Sequence, residues 1–141
     1  MNEIRFETAD LVVAALNLQR VPLKPVGSSP GVRLEDAEIV FTAPGWYEVL
    51  LTVKWDPANR EGRRFAHTAI PDSHPLHSEA IEADVLADLS NGCQLLRGNT
   101  FFDPESSVRS LALEVWQDSP GPTAVTKASI VLRPLPAPSG S

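Results

Sequence analysis

Cysteine is almost absent from this sequence of 141 residues, because Cys93 is the only one. An intrachain disulfide needs two cysteines and a thiolate zinc cluster needs more, so the sequence excludes both. We expect Cys93 to be a small buried hydrophobic residue, with a reactive thiol as the alternative. The chain is long enough to depend on the hydrophobic core of a single domain instead.

Positive charge is scarce as well, since twelve Lys and Arg residues are set against eighteen Asp and Glu residues. The resulting net charge of −6 repels phosphate backbones, and the basic residues are dispersed rather than grouped in one stripe. We therefore expect no nucleic acid partner.

Long apolar runs are also missing. No window approaches the length of a membrane span, and the start, MNEIRFETADLV, lacks the basic region and apolar run of a signal peptide. We expect no membrane partner and synthesis in the cytoplasm, with assembly into a particle or onto a surface as an option.

Alternation of side chains dominates residues 38–55, EIVFTAPGWYEVLLTVKW. One face of the second half is apolar throughout, with Tyr47, Val49, Leu51, Val53 and Trp55. Pro44 and Gly45 predict a turn between two strands, with a positive φ available at Gly45. The other face carries Trp46 and Leu50, which predicts that a partner covers it.

Thirteen prolines lie between the apolar runs rather than inside them, and they mark the ends of short strands. The strands predicted in this way span residues 4–18, 37–43, 46–55, 63–70, 80–89, 93–102, 108–117 and 124–133. Seven to nine short strands are typical of an all-β protein, and we predict a jelly-roll β-sandwich of two antiparallel sheets. We expect a single domain over residues 1–133 and a disordered Pro- and Ser-rich tail over 134–141.

Two of these segments also fit a helix. Residues 7–18 place Leu11, Ala15 and other apolar residues at helical spacing, and residues 78–89 place Ile81, Val85 and Leu89 four apart behind Ser78. The second segment alternates as well. We predict strands for both, because the segments that follow are extended.

Catalytic motifs are limited to one literal match, GSSPG at residues 27–31, which fits the G-x-S-x-G string of a nucleophile elbow. The residue after the nucleophile must donate its N–H to the oxyanion, and Pro30 has none. We expect a turn at this segment, no catalytic residue, no cofactor and no enzymatic activity.

The histidines are the one polar cluster with metal-binding residue types, and all three lie within eleven residues. The cluster consists of His67, Asp72, His74, His77 and Glu79. His74 and His77 are an odd number of residues apart, so an extended chain directs them to opposite sides, and Pro75 disfavours a helical turn. We expect a metal-free loop and keep His67, His74 and His77 as weak candidates.

Four motifs occur in a familiar order: the strand after the Pro-Gly corner, then GRRF with Arg63 and Arg64, then SLALEVWQDSPG with Trp116 and Gln117, then ASIVLRPL. Together they resemble bacterial and phage members of the tumour necrosis factor-like jelly-roll superfamily, which includes the complement first-component globular head. The resemblance covers residues 38–133. The segment 90–105 is longer than in that pattern, and no collagen-like stalk is present.

The resemblance implies a compact homotrimer, with the sheet that holds both chain termini packed around a three-fold axis. Strands that are apolar on both faces need cover on both, so we predict a trimer interface at Trp46, Leu50, Trp116 and Val131. The alternative is that the two tryptophans are lone exposed aromatics, or that they form a small separate cluster under the Pro-rich segment of residues 19–31.

Polar residues in the connecting loops are the candidate ligand contacts, namely Asp56, Asn59, Asp118 and Thr123.

Two functions fit the sequence features described above. The first is a non-enzymatic homotrimeric tumour necrosis factor-like binding head that recognises a glycan or protein ligand. The second is a structural or assembly component of a phage particle or cell-surface appendage.

Overall fold

Eleven strands and one short helix form the part of the chain that the computed structural model describes, which is residues 3–70, 77–88 and 93–136. The elements are β1 (Ile4–Val13), β2 (Gln19–Arg20), β3 (Lys24–Val26), β4 (Val32–Glu35), β5 (Glu38–Phe41), β6 (Gly45–Trp55), β7 (Arg63–Ala69), β8 (His77–Glu82), α1 (Ala83–Asp88), β9 (Cys93–Phe102), β10 (Ser110–Gln117) and β11 (Thr123–Leu135). None of these residues forms a helix that is long and apolar enough to cross a membrane.

Two antiparallel sheets pack face to face. The terminal sheet has the strand order β3-β1-β11-β6-β9, and the opposite sheet has the order β4-β5-β10-β7-β8, with β2 also paired to β10. The connections β5–β6, β6–β7, β8–β9, β9–β10 and β10–β11 all cross between the sheets. This topology confirms the predicted all-β class and jelly-roll sandwich.

The inner faces of the two sheets share one core. The row that alternation predicts in β6 is buried, as are Leu111, Leu113 and Val115 of β10 on the facing sheet. Phe41 and Phe102 stack across the sandwich with ring centroids 3.9 Å apart. Period-two burial therefore fixes the register of both central strands.

The strand predicted over residues 80–89 is wrong in its second half, where α1 follows β8 directly. The helix buries Ala83 and Leu86, three residues apart, and leaves Val85 half-exposed. Ala83 donates its backbone N–H to the carbonyl of Gly62 at 2.8 Å, which ties the start of the helix to the turn before β7. In this segment the buried residues therefore recur at helical spacing, and not at every second position as a strand would place them.

The strand predicted over residues 4–18 forms but is shorter. β1 ends at Val13, and Leu16 adopts a positive φ of 61° in the turn that follows. The Pro-rich segment that follows, residues 19–31, contains the short strands β2 and β3, and β4 begins directly after it.

The corner at Pro44 and Gly45 joins β5 to β6, but these strands belong to different sheets, so the chain crosses the sandwich rather than reversing into a hairpin. The expected positive φ at Gly45 is wrong. Gly45 is the first residue of β6, and a Cβ there would lie 3.4 Å from the ring of Tyr47. That distance is an ordinary van der Waals contact, so neither space nor backbone conformation requires a glycine here.

The last strand extends beyond the predicted domain end at residue 133. Pro134 pairs with Tyr47 and Leu135 pairs with Trp46, so the first two residues of the predicted tail belong to the terminal sheet. Pairing with β6 gives them the packing partner that the sequence alone does not reveal. Residues 137–141 lie outside the described residues.

Candidate functional site

The outer face of the terminal sheet, here the terminal face, combines aromatic and aliphatic side chains in adjoining rows. One row runs Leu135, Trp46, Phe101 across β11, β6 and β9, and the centroids of the two aromatic rings are 5.5 Å apart. Trp46 is 36% exposed and Phe101 is 40% exposed. Half-buried Leu50 lies further along β6. The surface therefore presents an aromatic pair to solvent.

Ion pairs lie between these apolar side chains. Arg133 of β11 donates to Glu48 of β6 and to Glu3, each at 2.7 Å, and Arg97 of β9 lies 4.0 Å from Glu48. The hydrogen bond between Arg133 and Glu3 raises the pKa of the guanidinium and lowers the pKa of the carboxyl. Charges on this face are thus matched within the chain.

The four residues predicted for a trimer interface do not lie together. Trp46, Leu50 and Val131 occupy the terminal face, whereas Trp116 lies on β10 in the opposite sheet. A single seam holding both tryptophans is therefore wrong. Val131 is only 5% exposed in the single chain, so association can add little burial there. Val26 of β3 and Leu95 and Phe101 of β9 are exposed apolar residues of this face that the sequence did not indicate.

The predicted ligand contacts gather at one end of the sandwich, and three of the four, Asp56, Asn59 and Asp118, have polar groups that are engaged within the chain. Asp118 accepts hydrogen bonds from the backbone N–H and the guanidinium of Arg63. These bonds, the backbone one first, lower the pKa of Asp118. Thr123 is buried, and its hydroxyl has no hydrogen-bond partner among the described residues.

Asp56 and Asn59 stabilise the turn between β6 and β7. The Asp56 carboxylate accepts from the backbone of Ala58 at 3.0 Å, and the Asn59 side chain accepts from Glu61 at 3.1 Å. Such side-chain acceptors hold a turn in place. Their role as ligand contacts stays a prediction.

Gln117 anchors the turn that follows β10. Its side-chain nitrogen donates to the carbonyls of Val13 at 3.0 Å and Gly121 at 2.9 Å, while its oxygen accepts from the backbone and hydroxyl of Ser119. The side chain is fully buried, and the amide uses all four of its hydrogen-bonding positions. The aromatic-Gln motif therefore supports the fold through its glutamine.

Arg64 is also fully buried, although its neighbour Arg63 is exposed. Its guanidinium donates to the carbonyls of Asn59, Glu61 and Arg63, and lies 5.4 Å from the ring centre of Trp55. Burial lowers the pKa of Arg64, and the charge of Asp118 opposes that shift. Arg64 thus stabilises the turn before its own strand.

The histidines are not assembled into a metal site by the described residues. His67 is buried beside Glu114, with its Nε2 2.7 Å from the carboxylate. The backbone of His77 pairs with Thr68, one position along from His67. His74 and Asp72 lie outside the described residues. The described residues contain no group of three or more His, Cys, Asp or Glu side chains that could hold a metal ion.

Cys93 is half-buried on the terminal face, rather than buried in the core as expected. It is the first residue of β9 and pairs with Lys54. Partial burial raises the pKa of its thiol, and the charge of Lys54 opposes the shift. A raised pKa favours the protonated thiol, which is unreactive.

A second apolar cluster, with half-buried aromatic side chains, lies on the outer face of the opposite sheet, here the opposite face. Trp116, Phe65 and Ala80 form one row across β10, β7 and β8. With Leu18 and Arg63 they line an open groove of about 360 Å³, here the aromatic groove. The sequence analysis singled out Trp116 and Arg63 here but neither Phe65 nor Leu18.

Known structures share this arrangement of strands. The chain is similar to the PRD1 vertex protein P5, with a TM-score of 0.71 and 14% identity over 95% of this chain and 73% of that one. It is similar to Eiger TNF from S. frugiperda, with a TM-score of 0.60 and 14% identity over 99% and 96% of the two chains. Rabbit GITRL gives a TM-score of 0.52 and 13% identity over 96% and 97%.

The chain has a tumour necrosis factor-like jelly-roll fold. No family model and no curated protein matches the sequence, so the likeness is one of fold. The motifs that carried the resemblance have clear places in this tumour necrosis factor-like jelly roll. Tyr47 lies in its core, Arg64 and Gln117 are buried at one end, and Trp116 lies on the opposite face.

Proposed function

We propose that the chain is a non-enzymatic homotrimeric binding head whose terminal face packs around a three-fold axis and which recognises a glycan or protein ligand. The observation that carries the proposal is the exposed pair Trp46 and Phe101 on the sheet that contains the first and last strands. Aromatic residues are enriched at the cores of protein interfaces, whereas a solvated monomer rarely exposes two in contact.

Energetics support burial of this face. Burying a large apolar side chain from full exposure contributes about 1.5–3 kcal/mol; Trp46, Phe101 and Leu95 are 36%, 40% and 53% exposed, so covering them contributes about 0.5–1.5 kcal/mol each. The ion pairs of Arg133 with Glu48 and Glu3 are already formed, so association would bury matched charges rather than isolated ones. We therefore assign the seam to Trp46, Leu50, Leu95 and Phe101.

A second candidate is a structural or assembly component of a phage particle or cell-surface appendage. The likeness to PRD1 vertex protein P5, at a TM-score of 0.71, favours this candidate. Both candidates use the same trimer, and they differ in whether a ligand is bound. A non-enzymatic role fits both, and none of the similar structures named above carries the name of an enzyme.

The trimer is tested by the mass in solution. Light scattering coupled to size exclusion should give three times the chain mass for the wild-type protein and the single-chain mass for Leu50→Glu, which places three carboxylates at one seam. Trp116→Glu is the matched control, because it adds the same charge to the opposite face and should remain trimeric. A wild-type monomer, or a trimeric Leu50→Glu protein, would refute the proposal.

A further inference from the structure

The aromatic groove on the opposite face has the size of a small-molecule site. Five residues line its volume of about 360 Å³, and Leu18 on its wall is 48% exposed. Ligand pockets of about 300–1,000 Å³ are ordinary, so a groove of this volume can hold a compact ligand.

A polar row borders the groove two residues further along each strand. Glu114 of β10 pairs with His67 of β7, and Arg20 lies beside Glu114 with 3.7 Å between guanidinium and carboxylate. His67 is 8% exposed, and its Nδ1 has no hydrogen-bond partner among the described residues. Apolar and hydrogen-bonding surfaces thus lie side by side.

The charges around the groove are neutralised within the chain. The Arg63 guanidinium lies 5.8 Å from the ring centre of Trp116, so the chain supplies its own cation to that ring. The same guanidinium is 3.1 Å from the Asp118 carboxylate. A cationic ligand would be repelled by the Arg63 guanidinium, and an anionic one would meet a guanidinium that is already paired. An uncharged ligand fits both conditions.

We propose that the aromatic groove binds a neutral sugar ring of a glycan. This inference rests on the proposed function as a binding head, and it names the ligand class and the site. A pyranose has one face of C–H groups and a rim of hydroxyls. The C–H face packs on Trp116 and Phe65, and the hydroxyls reach the charged side chains of Arg63 and Glu114. Hydrogen bonds to charged groups are the stronger ones, and they give such a site its selectivity.

The test is a glycan panel probed with the full chain. Neutral oligosaccharides should bind, and their sulfated or uronic acid counterparts should bind no better. Trp116→Ala should weaken binding at least tenfold, whereas Trp116→Phe, which keeps a ring, should restore most of it. Val85→Ala is the control, because Val85 is exposed on α1 and belongs neither to the groove lining nor to the proposed trimer seam, and its affinity should stay within twofold. Binding should change little between low and high salt, because screening acts on charges.

Several results would overturn the groove as a neutral-sugar site. These are failure of every neutral glycan to bind, full binding by Trp116→Ala, or binding of acidic glycans that salt abolishes. Leu18→Asp provides a second variant at an exposed position if Trp116→Ala fails to fold, and it should weaken binding as well. The mass in solution separates the two proposals: a trimer that binds no neutral sugar refutes the groove alone, and a monomer that binds through Trp116 refutes the trimer alone.

Discussion

The two outer faces of the sandwich both display a tryptophan next to a phenylalanine, but their surroundings differ. On the terminal face, Trp46 and Phe101 contact each other at 5.5 Å and remain exposed. On the opposite face, Arg63 lies over the Trp116 ring and is itself held by Asp118. An uncovered aromatic pair suits a flat partner, whereas a ring with a fixed polar neighbour suits an oriented small ligand. The same residue types therefore indicate different partners.

The largest expected effect comes from removing the aromatic pair of the terminal face. Truncation of a buried interface aromatic to alanine costs about 2 kcal/mol, so Trp46→Ala with Phe101→Ala should cost up to about 12 kcal/mol over the six side chains of a trimer. Sedimentation at decreasing protein concentration should show dissociation of this variant. The matched pair Trp116→Ala with Phe65→Ala should dissociate as the wild-type protein does, and equal dissociation of both would erase the distinction between the faces.

A second comparison is between two neighbouring residues of β10, Trp116, which faces outward, and Gln117, which is buried. Gln117→Ala removes hydrogen bonds to Val13, Gly121 and Ser119, and each buried group left unpaired costs about 1–3 kcal/mol. We expect a loss of about 4 kcal/mol in the free energy of unfolding, measured in urea. Trp116→Ala should lose much less. A Gln117→Ala protein of wild-type stability would show that the network does not hold the turn.

A third effect compares two glycines with nearly the same backbone conformation, one near each sheet. Gly62 and Gly27 have φ values of 79° and 81°. A Cβ at Gly62 would lie 2.7 Å from the backbone nitrogen of Ser119, whereas a Cβ at Gly27 meets nothing within 4 Å. Gly62→Ala should destabilise by about 3 kcal/mol and Gly27→Ala by about 1–2 kcal/mol, as read from thermal unfolding. Equal losses of stability in the two variants would mean that the positive φ, and not the contact with Ser119, causes the destabilisation.

The smallest expected effect is a loss of stability at low pH. Arg63 lowers the pKa of Asp118 below its ordinary value of 3.8, so the carboxylate adds stability above that value and loses it as pH falls through the folded pKa. The stability difference between the wild-type protein and Asp118→Asn should therefore be constant near neutral pH and shrink below about pH 4. Urea unfolding at several pH values measures it. Glu3→Gln on the terminal face should behave similarly, since Arg133 lowers the pKa of Glu3. A difference that does not shrink as the pH falls below the ordinary pKa would contradict this account.

Alternation of apolar and polar residues predicted the strands in which every second side chain is buried. The inward row of β6 and the strands β9 and β10 follow directly from period-two patterning, because each side chain faces either the core or the outside. The pattern does not say which of two sheets contains a strand. That is why Trp116 could be assigned to an outward position but not to a face.

Features decided by distant contacts could not be predicted from the sequence. The segment that forms α1 fits both a helix and a strand, and in the structure its first residue, Ala83, is bonded to Gly62, which lies 21 positions earlier in the chain. The role of Gln117 depends on Val13, which belongs to the first strand of the chain. For the same reason, the aromatic groove was missed, since Leu18, Phe65 and Trp116 come together only across three separate segments.

The position of β11 has a consequence for how the protein acquires its structure during synthesis. In the terminal sheet, β11 lies between β1 and β6, and Ile4 pairs with Leu132. Both early strands leave the ribosome with one long edge unpaired, and neither gains its central neighbour until the final strand is made. Pairings between such distant segments form slowly, and open edges invite association with other chains. Two strand edges of the terminal sheet therefore stay open until β11 is made.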